Sequence, residues 1–509
     1  MTAKMLINAT DREELRVAII RENELDGFYI ESERSENLTG NIYKATIERV
    51  EKSLQACFVH YGRDKNGFLP LNDIHPEYFF SPASSESENP PINNILKKGQ
   101  EILVQVTKEM PGNKGAHLTT FLSFAGRFVV LTLGRKSAGV SKKIEDEEER
   151  NRLKEIMNNV RLMEGTGYIV RTAAARQPKK EIIQDINRLL RIWKNIRQNI
   201  QNSPSNSLIH KEQDVTLRTL RDHLTSDIDE VVIDDKDTFN NVISYIKIIA
   251  PRQQSKIKLF KENKHPIFDF YKIEDQIQGI YGNRTVLKSG GSIVIEATEA
   301  LTSIDVNSGK GKVGKDIEGT AFNTNREATV EIARQLRLKD VGGLVIIDFI
   351  DMKDRNHNRE IEKLLKEECK KDKSKFDFGT ISKFGLMELS RQRLRPSIEA
   401  VSYNTCACCE GRGLIPSVES ASLNLLRRIR MGASREEVIK VKGILSSDVT
   451  SYLQNRKRHE LMELEDSYKL EIELIPDNNL APSRGELHFI TSEEENREKN
   501  QTAYDNQGQ

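Results

Sequence analysis

The chain holds 509 residues with 78 basic and 77 acidic side chains, so 30% of it is charged while its net charge is only +1. That length exceeds one hydrophobic core and implies about three or four domains. The charge balance excludes a whole-chain electrostatic pull on nucleic acid, so any such role needs local basic patches. Asp11, Glu13 and Glu14 interrupt Met1–Ile20 where a signal peptide would be apolar, and no run reaches the ~20 residues of a membrane span. A cytoplasmic protein is expected.

In chain order, Asn41–Ile47, Leu54–Val59, Gly67–Pro70 and Glu101–Val106 read as short strands separated by turn signals, which predicts a small barrel. Ser81–Pro91, rich in Ser, Glu and Pro, has nothing to bury and is expected to be a mobile loop within that domain. Residues 144–160 and 178–200 read as helices, the second with Arg188, Arg191, Lys194 and Arg197 on what is expected to be a solvated face. Gly291–Thr298 and Leu301–Asn307 read as a hairpin, and Phe322–Leu338 as a helix closed by Gly342-Gly343. Leu344–Ile350 reads as a buried strand and Arg359–Lys371 as a further helix. Together they predict an α/β layer. A mixed segment follows, and Ser492–Gln509 is expected to be a disordered tail.

Two of these strands carry acids. Ser303–Asn307 and Leu344–Asp348 place carboxylates on otherwise apolar runs, where an unpaired charge is costly to bury. Alternation puts Asp305 and Asn307 on one face and Ile304 and Val306 on the other. If the second strand lies alongside, Asp348 joins an all-oxygen cluster of the kind Mg²⁺ prefers. The bland reading is a satisfied carboxylate, for instance one paired with Arg334 or Arg337; Asp351, facing the other way on a continued strand, ranks below Asp348.

Gly309–Lys315 matches the spacing of a phosphate-binding loop, but Asp316 stands where Ser or Thr should ligate Mg²⁺, so a flexible Gly/Lys loop is the better account. Of the five cysteines, Cys406, Cys408 and Cys409 crowd together, and Cys406-Ala407-Cys408-Cys409 has zinc-knuckle spacing. One chain supplies half a tetrahedral site, so two chains sharing one Zn²⁺ through Cys406 and Cys409 would form a dimer; a redox pair is the rival, and Cys408 leaves the pairing open. Phe58 and Phe68 could be base-stacking platforms beside Lys114, although strand aromatics usually belong to a core. Arg171-Thr172 suits phosphate, although such a pair on a surface usually has no such role.

Taken jointly, Met5–Ala9, Asn41–Lys44, Gly67–Leu71, Gly112–Gly115, Ile169–Ala173, Ser303–Asn307, Ala321–Asn325, Ile346–Met352 and Ser390–Leu394 resemble the ribonuclease E/G family of bacterial endoribonucleases. The resemblance implies Mg²⁺-dependent hydrolysis of single-stranded, A/U-rich RNA in mRNA decay and rRNA or tRNA maturation. Asp305 and Asp348 would ligate one Mg²⁺ per subunit, with Asn307 as the third catalytic residue. Phe58, Phe68 and Lys114 would grip RNA. Gly126, Val130, Arg171 and Thr172 would form a 5′-monophosphate sensor. Cys406 and Cys409 would bind the structural Zn²⁺ linking protomers into a homodimer, and two dimers would make a homotetramer.

The implied architecture is multidomain α+β. Residues 1–36 and 217–280 would form an RNase H-like domain, into which an OB fold of the S1 type (37–120) and the sensor (121–216) are inserted. A DNase I-like catalytic domain (281–402), a zinc link (403–416), a small C-terminal α/β domain (417–491) and the tail (492–509) would follow. The family's Cys-Pro-x-Cys is Cys-Ala-Cys-Cys here, and Lys142 and Lys143 stand where Arg is common. The length fits the compact, ribonuclease G-like form, without a large scaffold platform.

Overall fold

The computed structural model describes residues 3–11, 13–32, 38–79, 92–110, 115–135, 137–225, 227–262, 264–309, 317–393, 397–398, 402–435, 437–482 and 484–492. Lys114, the Ser81–Pro91 loop, residues 310–316 of the Gly/Lys loop and the tail beyond Ser492 lie outside the described residues. The chain divides into units 1–401 and 402–509.

In the first unit, Ala3–Asn8, Glu14–Arg21 and Glu24–Ser32 form an antiparallel meander, and Ala3–Asn8 also pairs in parallel with Ile228–Ile233, itself parallel to Ile257–Leu259. Met5, Leu6 and Ile7 are all buried because this sheet is covered on both faces. Met5 and Ile7 pack with Val242 and Ile246 of the helix Lys236–Ile249, whereas Leu6 packs with Phe268 and Ile277.

The barrel predicted from the short strands is present. Ile42–Glu51, Ala56–His60, Gly67–Pro70, His117–Thr119 and Glu101–Lys108 pair in succession, and Glu101–Lys108 returns to Ile42–Glu51 to close an OB-like sheet. Ser207–His210 adds at one edge. A second small sheet, Ser123–Ala125, Val129–Leu133, Thr166–Val170 and Ala138–Val140, packs on the helices Glu147–Asn158 and Lys179–Asn202. The basic stripe needs one correction. Arg191, Lys194 and Arg197 are exposed, but Arg188 turns inward to Asp185 at 2.6 Å.

The α/β layer has six strands, in the order Arg284–Val286, Ser292–Ala297, Leu301–Asn307, Gly343–Asp348, Leu386–Arg391 and Phe376–Phe378. The helices Ile317–Leu338 and Arg355–Cys369 cover one face only, burying Ile304, Val306, Val345 and Ile347 against Ile332, Leu336 and Leu365. The first of these helices is not stopped by Gly342-Gly343. Asp340 adopts the left-handed conformation at φ 53°, with its carboxylate held by Arg391, and Gly342 instead admits Arg393, whose Cβ would stand 2.7 Å from a Cβ there.

The second unit centres on Val438–Ser446, parallel to Glu471–Asp477 and antiparallel to Glu486–Thr491, with the helices Val418–Ala433, Ser447–Arg456 and Arg458–Tyr468 packed on it. Among the described residues no helix is long and apolar enough to cross a membrane.

Candidate functional site

The two acid-bearing strands are parallel neighbours, and their register sets Asp305 opposite Asp348. Contrary to the burial argument, both carboxylates are exposed, because the helices cover only the Ile304/Val306 face and leave the other face open. What needs explaining is therefore the juxtaposition of two like charges, since adjacent strands run only about 4.8 Å apart. Asn307 Nδ2 donates to Asp305 Oδ2 at 2.7 Å, fixing that carboxylate from its own strand. Partial burial and the facing charges of Asp305 and Asp351 raise the Asp348 carboxyl above its ordinary range.

Asp351 is closer to this pair than strand alternation implies. The strand ends at Asp348, and a Cβ at Gly385 would lie 3.3 Å from Asp351 Oδ1 and 4.0 Å from Asp348 Oδ1. Pairing with Arg334 or Arg337 is not made. Arg334 is taken by Glu331 at 2.8 Å and Arg337 by Asp26 at 2.7 Å, and among the described residues neither Asp305 nor Asp348 has an ion-pair partner.

This donor set suits a hard cation. Among the described residues no group of three or more His, Cys, Asp or Glu side chains converges to hold a metal, so the protein would supply two carboxylates and leave the remaining positions to water or phosphate oxygens. The unrelieved repulsion gives a prediction: Asp348→Asn raises the melting temperature of the metal-free protein in EDTA at neutral pH. A carboxyl whose folded pKa is raised costs stability once ionised, at pH above its unfolded value. A lowered melting temperature would contradict this reading.

Sequence reasoning gave no role to Asn325. Fully buried in its helix, it donates from Nδ2 to the Ile350 carbonyl at 2.7 Å and accepts the Ile350 N–H at 3.0 Å, clamping the chain just beyond Asp348. The signal was available as an amide at an inward helical position, which demands partners.

On the barrel, Phe58 and Phe68 sit opposite each other with ring centroids 6.0 Å apart, and His117 stands 5.7 Å from Phe68. Both phenylalanines are half-buried and outside the barrel core, so the core reading does not hold. Arg49 lies 4.9 Å over the Phe58 ring, beside an open groove of about 640 Å³ that Asn66 and Lys98 also line.

Gly126, Val130, Arg171 and Thr172 meet at one corner. Val130 pairs with Ile169 and Ala125, and the Arg171 N–H donates to the Phe128 carbonyl at 2.8 Å. Arg171 Nη1 donates to the Gly126 carbonyl at 2.7 Å, while Thr172 is exposed at the start of the turn Thr172–Ala174. Gly126 has no room for a Cβ, which would stand 2.3 Å from Asp185 Oδ2. That buried carboxylate accepts the N–H groups of Arg127, Phe128 and Val129 and so shapes the corner. Lys143 is engaged elsewhere, donating to the carbonyls of Asp372 at 2.6 Å and Ser374 at 3.2 Å.

In the second unit the three clustered cysteines are free thiols. Hydrogen bonds from the backbone N–H groups of Cys409 and Cys408, followed by the Cys409 side chain, lower the Cys406 thiol pKa. The Glu410 N–H returns to the Cys406 carbonyl at 2.8 Å, and Glu410 and Gly411 are both left-handed. This is a turn that exposes sulfur, and it offers half of a tetrahedral site. By contrast, burial pushes the thiols of Cys57 and Cys369 up to about 12.

A model of the ribonuclease E/G family matches residues 123–394, and one of the RNase E/G thioredoxin-like domain matches residues 405–490. The chain is 44% identical over 474 residues to ribonuclease E of Haemophilus influenzae, a match covering 93% of this chain and 50% of the relative. It is 44% identical over 465 residues to ribonuclease E of Escherichia coli, covering 91% and 43%. It is also 35% identical over 467 residues to ribonuclease G of Escherichia coli, covering 91% and 95%. The chain thus spans about half the length of the two ribonuclease E relatives and nearly all of the ribonuclease G relative.

Proposed function

The chain belongs to the ribonuclease E/G family, and on that premise we propose that it is an endoribonuclease cutting single-stranded, A/U-rich RNA in mRNA decay and rRNA or tRNA processing, with stimulation by a 5′-monophosphate. The observation that carries the reading is the Asp305–Asp348 pair, two carboxylates in register on an open sheet face with Asn307 bonded to one of them.

In this proposal Asp305 and Asp348 hold Mg²⁺, which when bound supplies charge neutralisation at the phosphate and a more acidic water. The open face admits a polynucleotide strand, and Asn307 keeps Asp305 in one orientation. In-line hydrolysis then forms a bond from water oxygen to phosphorus and breaks the bond from phosphorus to the 3′ oxygen, which takes up a proton. The products carry 5′-phosphate and 3′-hydroxyl ends. Gly126, Val130, Arg171 and Thr172 act as the sensor, with Arg171 and Thr172 as the phosphate contacts. In domain terms, the double-covered sheet is RNase H-like, the acid-bearing layer DNase I-like and the Cys406/Cys409 turn a zinc link that pairs protomers.

Phe58 and Phe68 serve as the stacking platform, each ring worth about 1–3 kcal/mol per base. Phe58→Ala and Phe68→Ala are therefore expected to raise KM for a single-stranded RNA by roughly 5- to 100-fold with kcat nearly kept. Steady-state cleavage of a fluorescently labelled oligoribonucleotide checks this; unchanged KM in both variants would remove the barrel from substrate binding. The same assay tests the parent reading, which requires Mg²⁺-dependent internal cuts in single-stranded RNA and none in the equivalent duplex.

A further inference from the structure

Sensor corner and acid-bearing sheet are joined through one carboxylate with no role in the reading above. Asp222, near the end of the helix Val215–His223, receives Arg171 Nη2 at 2.7 Å and Arg221 Nε at 3.2 Å on Oδ1, and Lys373 Nζ donates to its backbone carbonyl. Burial opposes its ionisation, yet Arg171, Arg221 and Lys373 outweigh that and hold its carboxyl at about 2. Arg171 is thereby gripped on both sides, by the Gly126 carbonyl on Nη1 and by Asp222 on Nη2. Arg171, Arg221 and Lys373 all face Asp222, and Arg221 is also held by Glu212 at 2.8 Å.

Lys373 belongs to the segment between the helix 355–369 and the strand 376–378. Its neighbour Asp372 takes Arg391 Nε at 2.9 Å, and Arg391 ends the strand that pairs with the Asp348 strand. From the sensor side Lys143 donates to the carbonyls of Asp372 and Ser374. The segment 372–374 is therefore fastened to both elements.

We propose that Asp222 is the positioning residue of the 5′-phosphate sensor, fixing the Arg171 guanidinium for the phosphate, and that Lys373 secures Asp222 so that a competent sensor depends on the docked catalytic sheet. This rests on the reading of Arg171 and Thr172 as the 5′-phosphate contacts. The test is kcat/KM on one RNA sequence carrying a 5′-monophosphate or a 5′-hydroxyl, for the full chain, Asp222→Asn and Lys373→Met. Each protein is referred to its own rate on the hydroxyl RNA, so general damage cancels. The monophosphate advantage is expected to fall about tenfold in Asp222→Asn, through KM, as for a lost charged hydrogen bond, and by a smaller factor in Lys373→Met. Parent-like ratios in both variants overturn the proposal. A parent ratio of one instead overturns the sensor reading beneath it. Should Asp222→Asn cut neither RNA, Lys373→Met, whose side chain is exposed, decides alone: a lowered ratio supports the proposal and an unchanged one overturns it.

Discussion

Asp305→Asn and Asp348→Asn are each expected to lower single-turnover RNA cleavage by about 10³-fold, with RNA affinity little changed. Asn preserves the shape of either side chain and its place on the open face, so the change removes one negative charge and little else. The two carboxylates face each other in register, and among the described residues no third His, Cys, Asp or Glu converges with them to hold a metal. Loss of one therefore halves the anionic donor set. Asp351, which also raises the Asp348 pKa, sits beyond the end of the strand and is the natural comparison. Full cleavage retained in both variants would remove the pair from catalysis and favour a non-catalytic RNA-binding protein that uses the barrel alone.

Cys406→Ser and Cys409→Ser are each expected to abolish zinc binding and to halve the mass of the assembly in solution, from tetramer to dimer. A structural zinc contributes on the order of 10 kcal/mol, so the loss should be complete, not graded. Three sulfurs share one turn, and the Cys-x-x-Cys spacing favours Cys406 with Cys409. Cys406 accepts the backbone N–H groups of Cys409 and Cys408, and Cys409, three residues on, stands at knuckle spacing as the second ligand. Cys408→Ser should then keep both zinc and mass. Light scattering with metal analysis checks all three variants, and unchanged mass with no bound zinc in the parent protein would contradict the link.

How much of this was written in the sequence differs by element. Alternation in Ser303–Asn307 fixed which residues share a face, and the structure agrees: Ile304 and Val306 are buried, Asp305 and Asn307 exposed. Alternation cannot tell whether the polar face is covered, and among the described residues only one side of the sheet has helices, so the burial cost falls to the partial burial of Asp348. It also assumes that a strand continues. Asp351 points away only on a strand that runs on to Ile350, whereas this one ends at Asp348. Phe68 is flanked by His117, some fifty residues further along the chain, and Phe58 by Arg49 of a neighbouring strand, contacts that local pattern cannot reveal. Asp222 was silent for the same reason: its partners Arg171 and Lys373 come from two other parts of the chain. Asp340 shows the limit of turn rules, since two adjacent glycines were the obvious helix stop and an aspartate held by Arg391 ends it instead.

The most direct measurement of the central claim is to map the ends made when the full chain meets a 5′-monophosphorylated, A/U-rich single-stranded RNA with Mg²⁺. The account predicts internal cuts whose downstream fragments begin with a 5′-phosphate and whose upstream fragments end in a 3′-hydroxyl, all suppressed by EDTA. Cuts that persist in EDTA, or that leave 5′-hydroxyl and cyclic-phosphate ends, would contradict it.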